Sequence, residues 1–468
     1  MGFLSKFAVA AQLVTLVVGQ TAVTVSVGTK YQRIDGFGFS QAFGRAAEFQ
    51  NAPSDLQKQA LDYLFSTDTG AGFSIIRNRI GSGGQGDSIE PKSPGSPTAT
   101  PSYVWDNDDR GQVWFTKQAM SYGVNTIYAD AWSAPGFMKT SGSESSPGYL
   151  CGTPGHSCSS GDWRQAYADF LVKYVQLYAD AGMPITHLGF LNEPDFSPSY
   201  SQMQISSNAA EAIDFIPILY KTVQAAGLST NLTCCDAMGW GTTTNNYVPA
   251  LVRSGVTSYL SVITSHSYSA DATSAITSTP LPKWNTEGGP NTQFTTTWYS
   301  SGAANEGFTW ANKLAVAMVR AELSAYLFWE GFEIRQTQSA MHLVDTLDGR
   351  SATPSGIFWA FAMWSRHIRP GAYRVAATGS PSGVITGAFV NADGSVVVVF
   401  TNSGSAAQSA ALSFSAGFTP ANASAWVTSN SAKFASTPAT LSGGKVTVSI
   451  PGRAVVTVKL TGNATSSQ

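Results

Sequence analysis

The feature that most constrains the fold is a repeat in which eight short apolar runs alternate with stretches of helical period. Each run ends in polar residues, glycine or proline, which is typical of a buried parallel strand. The helical stretches between them include Trp163–Ala181, Glu211–Ala226 and Ala311–Ser324. Eight strand–helix repeats predict an α/β fold of the (β/α)8 TIM-barrel type. The strand-like runs lie in Gln32–Gln41, Phe73–Ile80, Asn125–Ser133, Leu188–Phe196, Leu232–Trp240, Val262–Tyr268, Lys283–Pro290 and Ala325–Gly331.

The pattern changes near Val384, where short alternating strands replace the strand–helix repeat. The pattern of Gly387–Phe400 predicts a hairpin with an Asp393-Gly394 turn, and further alternating segments follow. The early segment Thr21–Val27 alternates in the same way and could join them. We therefore expect a barrel over 32–370, a side β-sandwich formed by 21–31 and 371–462, and a tail over 463–468.

Charge is scarce in this chain. Of its 468 residues only 12% are charged, the hydrophobic fraction is 43%, and the formal net charge is −2. This composition argues against nucleic acid or an anionic membrane surface as the main partner. It suits a neutral, polar substrate.

Residues 1–20 have the order of a secretory signal peptide. Lys6 precedes an apolar run, Phe7–Val18, and small residues follow it. The run is too short to span a membrane, and an uncleaved anchor is the alternative. Glycosylation sequons at Asn231, Asn422 and Asn463 agree with export. We expect a secreted, extracellular, glycosylated monomer.

The four cysteines predict at least one disulfide. Cys151 and Cys158 bracket a short loop and are expected to pair in an oxidising compartment. Cys234 and Cys235 are adjacent, and the sequence leaves open a vicinal bridge, pairing elsewhere or buried thiols. Neither pair has zinc-ligand spacing and no His-Glu-x-x-His is present, so we expect no metal and no cofactor.

Two of the predicted strands deliver a glutamate to the same end of the barrel. Glu193 and Glu287 end their apolar runs and are followed at once by Pro194 and Gly288. A retaining glycosidase needs such a pair, one as acid/base and one as nucleophile, with carboxyls about 5–5.5 Å apart. Glu193 is expected to protonate the leaving oxygen, Glu287 to attack the anomeric carbon, and Asn192 to donate to the sugar 2-hydroxyl.

Other polar and aromatic residues gather at predicted strand ends, where each taken singly could be ordinary packing. Several other carboxylates also lie at strand ends and could replace Glu193 or Glu287 in the chemistry. Glu330 is the strongest of these candidates, and its structural alternative is a buried ion pair with an arginine such as Arg79. The strand-end residues are Gln41, Arg79, Trp132, Asn192, His266, Tyr268 and Trp329, and the rival carboxylates are Asp195, Asp236, Glu330 and Glu333.

The long connection Gly81–Asp109 has no helical period and is expected to line or cap the cleft, with Trp105 as a possible sugar platform.

Over essentially all of the mature chain the sequence resembles glycoside hydrolase family 30. The resemblance rests on Asp35-Gly-Phe-Gly-Phe-Ser-Gln41, Trp132-Ser-Ala-Pro-Gly-Phe-Met138, Leu191-Asn-Glu-Pro194, His266-Ser-Tyr268 and Thr286-Glu-Gly288. It implies a barrel with a side β-sandwich, Glu193 as acid/base and Glu287 as nucleophile. It also implies that Trp132, Asn192, Tyr268 and Trp329 shape the −1 subsite. The segment Phe37–Arg45 is most similar to the fungal xylanase-type subfamily 7.

Arg45 follows the first barrel strand on the catalytic face. In fungal relatives an arginine in this loop is associated with recognition of the 4-O-methylglucuronate branch of xylan. A guanidinium can bind a carboxylate with two parallel hydrogen bonds, so we hypothesise this role for Arg45. The alternative is a solvated or helix-capping arginine.

The predicted function is a secreted, retaining endo-β-1,4-xylanase whose partner is xylan, with a preference for glucuronate-branched xylan. Alternatives within the family are β-1,6-glucanase, β-1,6-galactanase or a xylobiose-releasing xylanase. A carbohydrate-binding pseudoenzyme is the non-enzymatic alternative, against which the intact Glu193 and Glu287 count. A barrel metallohydrolase is disfavoured because the sequence has no histidine cluster.

Overall fold

The computed structural model describes residues 19–81, 88–415 and 417–463. The expected signal peptide, part of the Gly81–Asp109 connection, the side chain of Asn463 and the end of the expected tail lie outside the described residues.

Eight parallel strands form a closed barrel, as the repeat predicted. Short apolar strands with both faces covered are the rule in such barrels. Gly38 lets the first strand approach the second, because a Cβ there would lie 2.0 Å from the carbonyl oxygen of Ile75. In order around the barrel the strands are β2 (Gly36–Ser40), β3 (Ile75–Ile80), β4 (Thr126–Ala131), β5 (His187–Gly189), β6 (Asn231–Ala237), β7 (Val262–His266), β8 (Lys283–Glu287) and β9 (Ala325–Glu330).

Helices cover the outside of the barrel and follow from the spacing of apolar residues. In Arg164–Asp180, for example, buried aromatic and aliphatic side chains recur three and four residues apart, so one face packs on the strands. The helices are α1 (Arg45–Gln50), α2 (Ser54–Phe65), α3 (Gln112–Ser121), α4 (Arg164–Asp180), α5 (Ala210–Ala225), α6 (Trp240–Thr242), α7 (Val248–Ser254), α8 (Gly307–Val319) and α9 (Gly356–Ser365). Short turns of 3-10 helix at Gly136–Met138 and Val256–Tyr259 and of π-helix at Thr243–Tyr247 complete them.

A small sheet stands at the mouth of the barrel after its last strand. It consists of β10 (Phe332–Glu333), β11 (Val344–Asp345) and β12 (Thr353–Pro354), with β10 parallel to β11 and β11 antiparallel to β12. The short strand β10 begins one residue after Gly331. The mouth of the barrel is therefore extended on the side of β9.

The second unit is a β-sandwich made from one ten-stranded sheet that folds back on itself, with β17 in contact with β19 and β20. The first strand of the chain belongs to it, paired parallel with β16 and antiparallel with β13. Its strands are β1 (Thr21–Arg33), β13 (Tyr373–Thr378), β14 (Val384–Val390), β15 (Val396–Asn402), β16 (Gln408–Phe414), β17 (Thr419–Thr428), β18 (Ala435–Thr437), β19 (Ala439–Ser442), β20 (Lys445–Ile450) and β21 (Ala454–Asn463).

The strand β15 shows how the sandwich is attached to the barrel. Val396, Val398 and Phe400 point into the sandwich core, whereas Val397 and Val399 belong to the apolar core shared with the barrel helices. Successive side chains of a strand face opposite sides, so one strand serves both cores. α8 packs against β14 and β15, and α9 packs against the neighbouring strands β17 and β21. The continuous apolar contact holds the two units together.

Both cysteine pairs are disulfides: Cys151 is bonded to Cys158, and Cys234 to Cys235. Of the possibilities that the sequence left open for Cys234 and Cys235, the structure has the vicinal bridge. Among the described residues, no helix combines the length and apolarity that a bilayer crossing requires.

Candidate active site

Glu193 lies just beyond the C-terminal end of β5, on a tight turn. Its backbone has φ 46°, a left-handed conformation that is uncommon outside glycine. The Glu193 amide donates to the carbonyl oxygen of Asp236 at the end of β6, 2.7 Å away, and Pro194 follows. Strands β5 and β6 together fix this turn and point the carboxyl into the barrel mouth, where the residue is only 5% exposed.

Glu287 is the last residue of β8 and is also 5% exposed. Nη1 of Arg77, on β3, donates to Glu287 Oε2. The hydroxyl of Tyr268 donates to Glu287 Oε1 at 2.8 Å. Burial raises the pKa of the Glu287 carboxyl, whereas the charges of His266 and Arg77 and the Tyr268 hydroxyl act in the opposite direction. These donors favour the ionised form of Glu287.

His266, at the end of β7, lies between the two glutamates. Its Nδ1 is 3.2 Å from Glu193 Oε1, and its Nε2 is 3.3 Å from Asp236 Oδ1 and 3.8 Å from Glu287 Oε2. Burial acts to lower the pKa of His266, but Glu287, Asp236 and Glu193 together raise it to about 10. The imidazole is therefore a cation at neutral pH and partly balances three carboxylates.

Arg77 is the centre of a buried ionic network beneath the cleft. Its Nη2 donates to Asp130 Oδ2 and to Asn192 Oδ1, each at 2.7 Å. Because Asn192 Oδ1 is taken by Arg77, the amide nitrogen of Asn192 is the end left to donate to a ligand. Arg77 also lies 4.5 Å from the ring centroid of Trp132. One guanidinium thus orients Glu287, Asn192 and Trp132.

Two buried aspartates in this network have pKa values that are shifted in opposite directions. Burial and the neighbouring Asp236 raise the pKa of Asp130 well above its usual range. Burial also acts to raise the pKa of Asp236, but His266, Arg77 and Thr286 lower it below its usual value. The two cations Arg77 and His266 therefore favour the ionised form of Asp236. Its Oδ2 also accepts hydrogen bonds from Tyr128 and Thr264.

The two glutamates face a cleft of about 520 Å³ at the barrel mouth. One oxygen of Glu193 lies within 4.8 Å of one of Glu287. This is the close spacing of a retaining pair rather than the wider gap that leaves room for a water molecule. Aromatic rings dominate the walls, as expected where the apolar C–H faces of sugars pack. They are Phe43, Trp132, Phe196, Tyr200, Tyr268 and Trp329.

Most of the predicted site residues lie at or directly beneath this cleft. Trp132, Tyr268 and Trp329 line it, and Asn192 is buried under it. Gln41 does not face the cleft; its side chain exchanges hydrogen bonds with the backbone of Phe332 and so joins the first barrel strand to β10.

Arg45 does not line the cleft. Its Nη1 lies 3.0 Å from Glu48 Oε2 and 2.9 Å from Glu333 Oε1, and it donates to the Thr337 hydroxyl. Protein carboxylates thus already bind this guanidinium. The hypothesis that Arg45 binds a substrate carboxylate stays a prediction, and binding a branch there would compete with these ion pairs.

The rival carboxylates have structural partners. Glu330 is fully buried, accepts from the Ala42 amide and lies 2.8 Å from His342 Nε2. The structural alternative for Glu330, a buried pairing, is therefore present with a histidine in place of an arginine such as Arg79. Asp195 accepts from the Met238 amide. Arg79 instead lies 4.5 Å from the ring of Phe43.

The described part of the Gly81–Asp109 connection lies on the outside of the barrel. Trp105 packs edge-to-face on Tyr178 of α4, with ring centroids 5.5 Å apart, and is not among the cleft residues. Asp109 accepts from the hydroxyls of Tyr174 and Tyr178. The expectation that Trp105 is a sugar platform is wrong, because its ring is used to attach the loop to α4.

Glu193, His266 and Glu287 are also close enough together to resemble a metal-ligand set. A ligating imidazole needs a free lone pair, yet both nitrogens of His266 face carboxylates and the ring is protonated. Arg77 already supplies a cation to Glu287. The arrangement fits acid–base and nucleophilic chemistry better than metal binding.

Sequence reasoning missed Arg77, Asp130 and the aromatic residues Phe43, Phe196 and Tyr200. Arg77 shares one face of β3 with Ile75 and Arg79, but nothing in this local pattern identifies its partners. Phe43 lies in the segment Phe37–Arg45 that carries part of the family resemblance, but it was not predicted to be a site residue. Phe196 and Tyr200 lie in an irregular segment, where no periodicity could have identified them.

Comparison with known proteins gives a consistent family. A family model described as "O-Glycosyl hydrolase family 30" matches residues 20–279, and one described as "Glycosyl hydrolase family 30 beta sandwich domain" matches residues 371–458. The structure is similar to that of the catalytic domain of GH30 xylanase C from Talaromyces cellulolyticus, with a TM-score of 0.88 and 49% identity. That match covers 94% of this chain and 100% of the other.

Two curated relatives carry a different activity in their names. An endo-1,6-beta-D-glucanase of Trichoderma harzianum is 30% identical over 220 residues, 44% of this chain and 43% of that protein. The chain thus spans less than half the length of this relative. An endo-1,6-beta-D-glucanase of Aspergillus fumigatus is 26% identical over 403 residues, 79% of this chain and 78% of that protein.

Proposed function

The chain belongs to glycoside hydrolase family 30 and is a glycosidase, and on this premise we propose that it is a retaining endo-β-1,4-xylanase. The observation that carries the mechanism is the close approach of Glu193 and Glu287 across an aromatic cleft. The similarity to the Talaromyces xylanase, over nearly the whole chain, supports xylan as the substrate.

In the first step the Glu193 carboxyl donates its proton to the glycosidic oxygen while the Glu287 carboxylate attacks the anomeric carbon. The bond from that carbon to the leaving sugar breaks, and a bond to a Glu287 oxygen forms. Glu193 then removes a proton from water, whose oxygen attacks the same carbon and releases Glu287. Two inversions give net retention of configuration.

Donors around Glu287 stabilise its carboxylate before attack and again when it leaves the anomeric carbon in the second step. Arg77 and Tyr268 each donate to one oxygen of Glu287 and so fix its direction of attack. The amide nitrogen of Asn192 supports transition-state binding through the sugar 2-hydroxyl. His266, close to both glutamates, holds the Glu193 carboxyl in position through Nδ1.

An endo mode is supported by the position of the long loop. Trp105 of this loop packs against α4, and none of its described residues is among those that line the cleft. The β-1,6-glucanase alternative is favoured by the names of the two curated relatives. For glucuronate branches, no lysine or arginine occurs among the described residues that line the cleft, so branch preference would depend on Arg45 leaving its ion pairs.

We further propose that the protein is a secreted, glycosylated monomer. Asn231 and Asn422 are exposed, which suits glycan attachment. The signal-like residues 1–20 and the two disulfides agree with an oxidising, extracellular compartment.

Parallel digestion of glucuronoxylan, arabinoxylan and a β-1,6-glucan, followed by mass spectrometry and anomeric NMR, tests the proposal. Xylo-oligomers with β configuration from both xylans would support it. Products from the β-1,6-glucan alone would replace the substrate and keep the mechanism. Products of α configuration would contradict double displacement by Glu193 and Glu287.

A further inference from the structure

A second buried ionic cluster lies beside the cleft and has no role in the chemistry described above. Its centre is His342, which is fully buried between β10 and β11. His342 Nε2 lies 2.8 Å from Glu330 Oε2, and Nδ1 lies 2.9 Å from Glu333 Oε2. Each ring nitrogen therefore lies within ion-pair distance of a carboxylate oxygen, and this arrangement favours the imidazolium form.

Each of these carboxylates holds one side of the turn that carries Phe43. Glu330 accepts a hydrogen bond from the Ala42 amide at 3.0 Å. Glu333 pairs with Arg45. Phe43 lies between these two anchors, has φ 50°, and contacts Trp132 and Trp329 edge-on or tilted at 5.5 and 6.0 Å. A non-glycine residue in this conformation needs its neighbours to hold it.

Glu333 also holds a second turn of the same cleft wall. Its Oε1 accepts hydrogen bonds from the amide and hydroxyl of Thr337 and from the Gln338 amide, at 2.7, 2.7 and 3.1 Å. Gln338 and Ser339 line the cleft. The Phe43 turn and the 337–339 turn therefore share one anchor.

We infer that His342 is a positioning residue for polysaccharide binding: as a buried cation it joins Glu330 and Glu333 and thereby fixes the Phe43 and 337–339 turns as one wall of the cleft. The inference rests on the proposed function only in requiring that this cleft binds the substrate chain.

The charges around His342 support this role. Burial acts to lower the pKa of His342, but Glu330 and Glu333 raise it to about 9. The other charged groups near it are Arg45, Glu48 and Asp345, so two cations face four carboxylates. Loss of the imidazolium would leave Glu330 and Glu333 buried beside each other without a shared cation, which favours their separation.

H342Q and R45A test the inference, with R164A as control because Arg164 pairs with Asp162 and Asp214 outside the barrel. We expect H342Q and R45A to raise KM about tenfold, with kcat within twofold of wild type, on glucuronoxylan and arabinoxylan alike. R164A should leave KM unchanged. KM values for H342Q and R45A that match those of R164A would overturn the inference, whatever happens to Tm.

R45A also separates this role from branch recognition. If R45A raised KM on glucuronoxylan alone, Arg45 would be assigned to recognition of the glucuronate branch. That result would contradict its role in fixing the Phe43 and 337–339 turns. If H342Q does not fold, the test rests on R45A. The Arg45 side chain lies at the edge of the cluster and is 16% exposed, so its removal disturbs folding less.

The pH dependence of KM provides an independent test. Wild-type KM should rise as pH passes about 9, where His342 loses a proton, and H342Q should lack this step. A step of equal size in H342Q would contradict the inference. If the wild type cleaves only the β-1,6-glucan, the proposed substrate fails and the same comparison is made on that glucan.

Discussion

The two ends of the barrel interior have opposite chemistry although the same strands build both. At the base, Ile75, Tyr128, Val262, Trp284, Ala325 and Leu327 form a compact buried cluster of mainly apolar side chains. At the mouth, the next inward layers carry Arg77, Asp130, Asp236, His266 and Glu287. Strand β3 contributes Ile75 to the base and Arg77 to the mouth, two residues apart, as the alternation of side chains requires.

This contrast shows where stability and function are separated. Burying apolar surface at the base is favourable by about 25 cal/mol per Å². Burying charges at the mouth is favourable only while every ion keeps its partners. The base can therefore be altered at a cost in stability alone, whereas a change at the mouth affects charge balance and catalysis together.

The largest effect is expected at Glu287. E287Q keeps the shape of the side chain but removes the nucleophile, so kcat on xylan should fall by about 10⁴-fold or more. Steady-state kinetics with a circular dichroism check of folding measures this. If E287Q retained substantial turnover, Glu287 would not be the nucleophile. The polar mouth of the barrel would then no longer be supported as the catalytic end.

Glu193 should differ from Glu287 in a way that separates acid/base from nucleophile. E193A should still release a leaving group that needs no protonation, such as a nitrophenolate from an aryl xyloside, and accumulate the glycosyl-enzyme. Mass spectrometry of the intact protein detects that adduct. Equal losses on xylan and on the activated aryl substrate would contradict the division of roles.

Arg77 should affect stability and activity together. R77M removes the cation shared by Asp130 and Glu287, and breaking a buried pair typically costs about 3–5 kcal/mol. Urea denaturation should show this loss, and kcat should fall because Glu287 loses a donor. A fully active, fully stable R77M would show that the mouth does not depend on its central cation.

Leu327 provides the matching test at the base. L327A should lower the free energy of unfolding by about 2–5 kcal/mol, because the cavity is fully buried. KM and kcat at 25 °C should stay within twofold of wild type. A large change in KM with little change in stability would contradict the separation of the two ends.

The sequence predicted features of these two ends that depend on neighbouring residues, but not features that depend on residues far apart in the chain. The strands were predictable because their apolar runs are local, and Glu193 and Glu287 because each ends such a run beside Pro194 or Gly288. Partners were not predictable, since Arg77 and Glu287 are 210 residues apart. The same limit explains why a buried partner could be anticipated for Glu330 without identifying it as His342. Trp105 was considered as a possible sugar platform because the sequence of a long loop indicates neither the direction of the loop nor its contacts.

His266 should give the mouth a pH-dependent stability that the base lacks. Its pKa is raised from 6.5 to about 10 in the folded state. The stabilisation by the imidazolium is therefore complete below pH 6.5 and is lost as pH rises through 10. Denaturation of wild type and H266N at pH 6, 8 and 10 should show a stability gap that shrinks with pH. A gap of constant size would mean that His266 acts without its charge.

The smallest effect is expected at Trp105, which lies outside both ends of the barrel. W105A removes the edge-to-face contact with Tyr178, so a stability loss of about 0.5–1.5 kcal/mol beyond the lost burial is expected from the aromatic pair. KM on xylan should not change, because the ring does not line the cleft. Thermal unfolding and steady-state kinetics of W105A, with W329A as the cleft-lining control, measure both quantities. A KM increase in W105A comparable with that in W329A would place the long loop at the substrate and extend the functional end of the barrel to its outer surface.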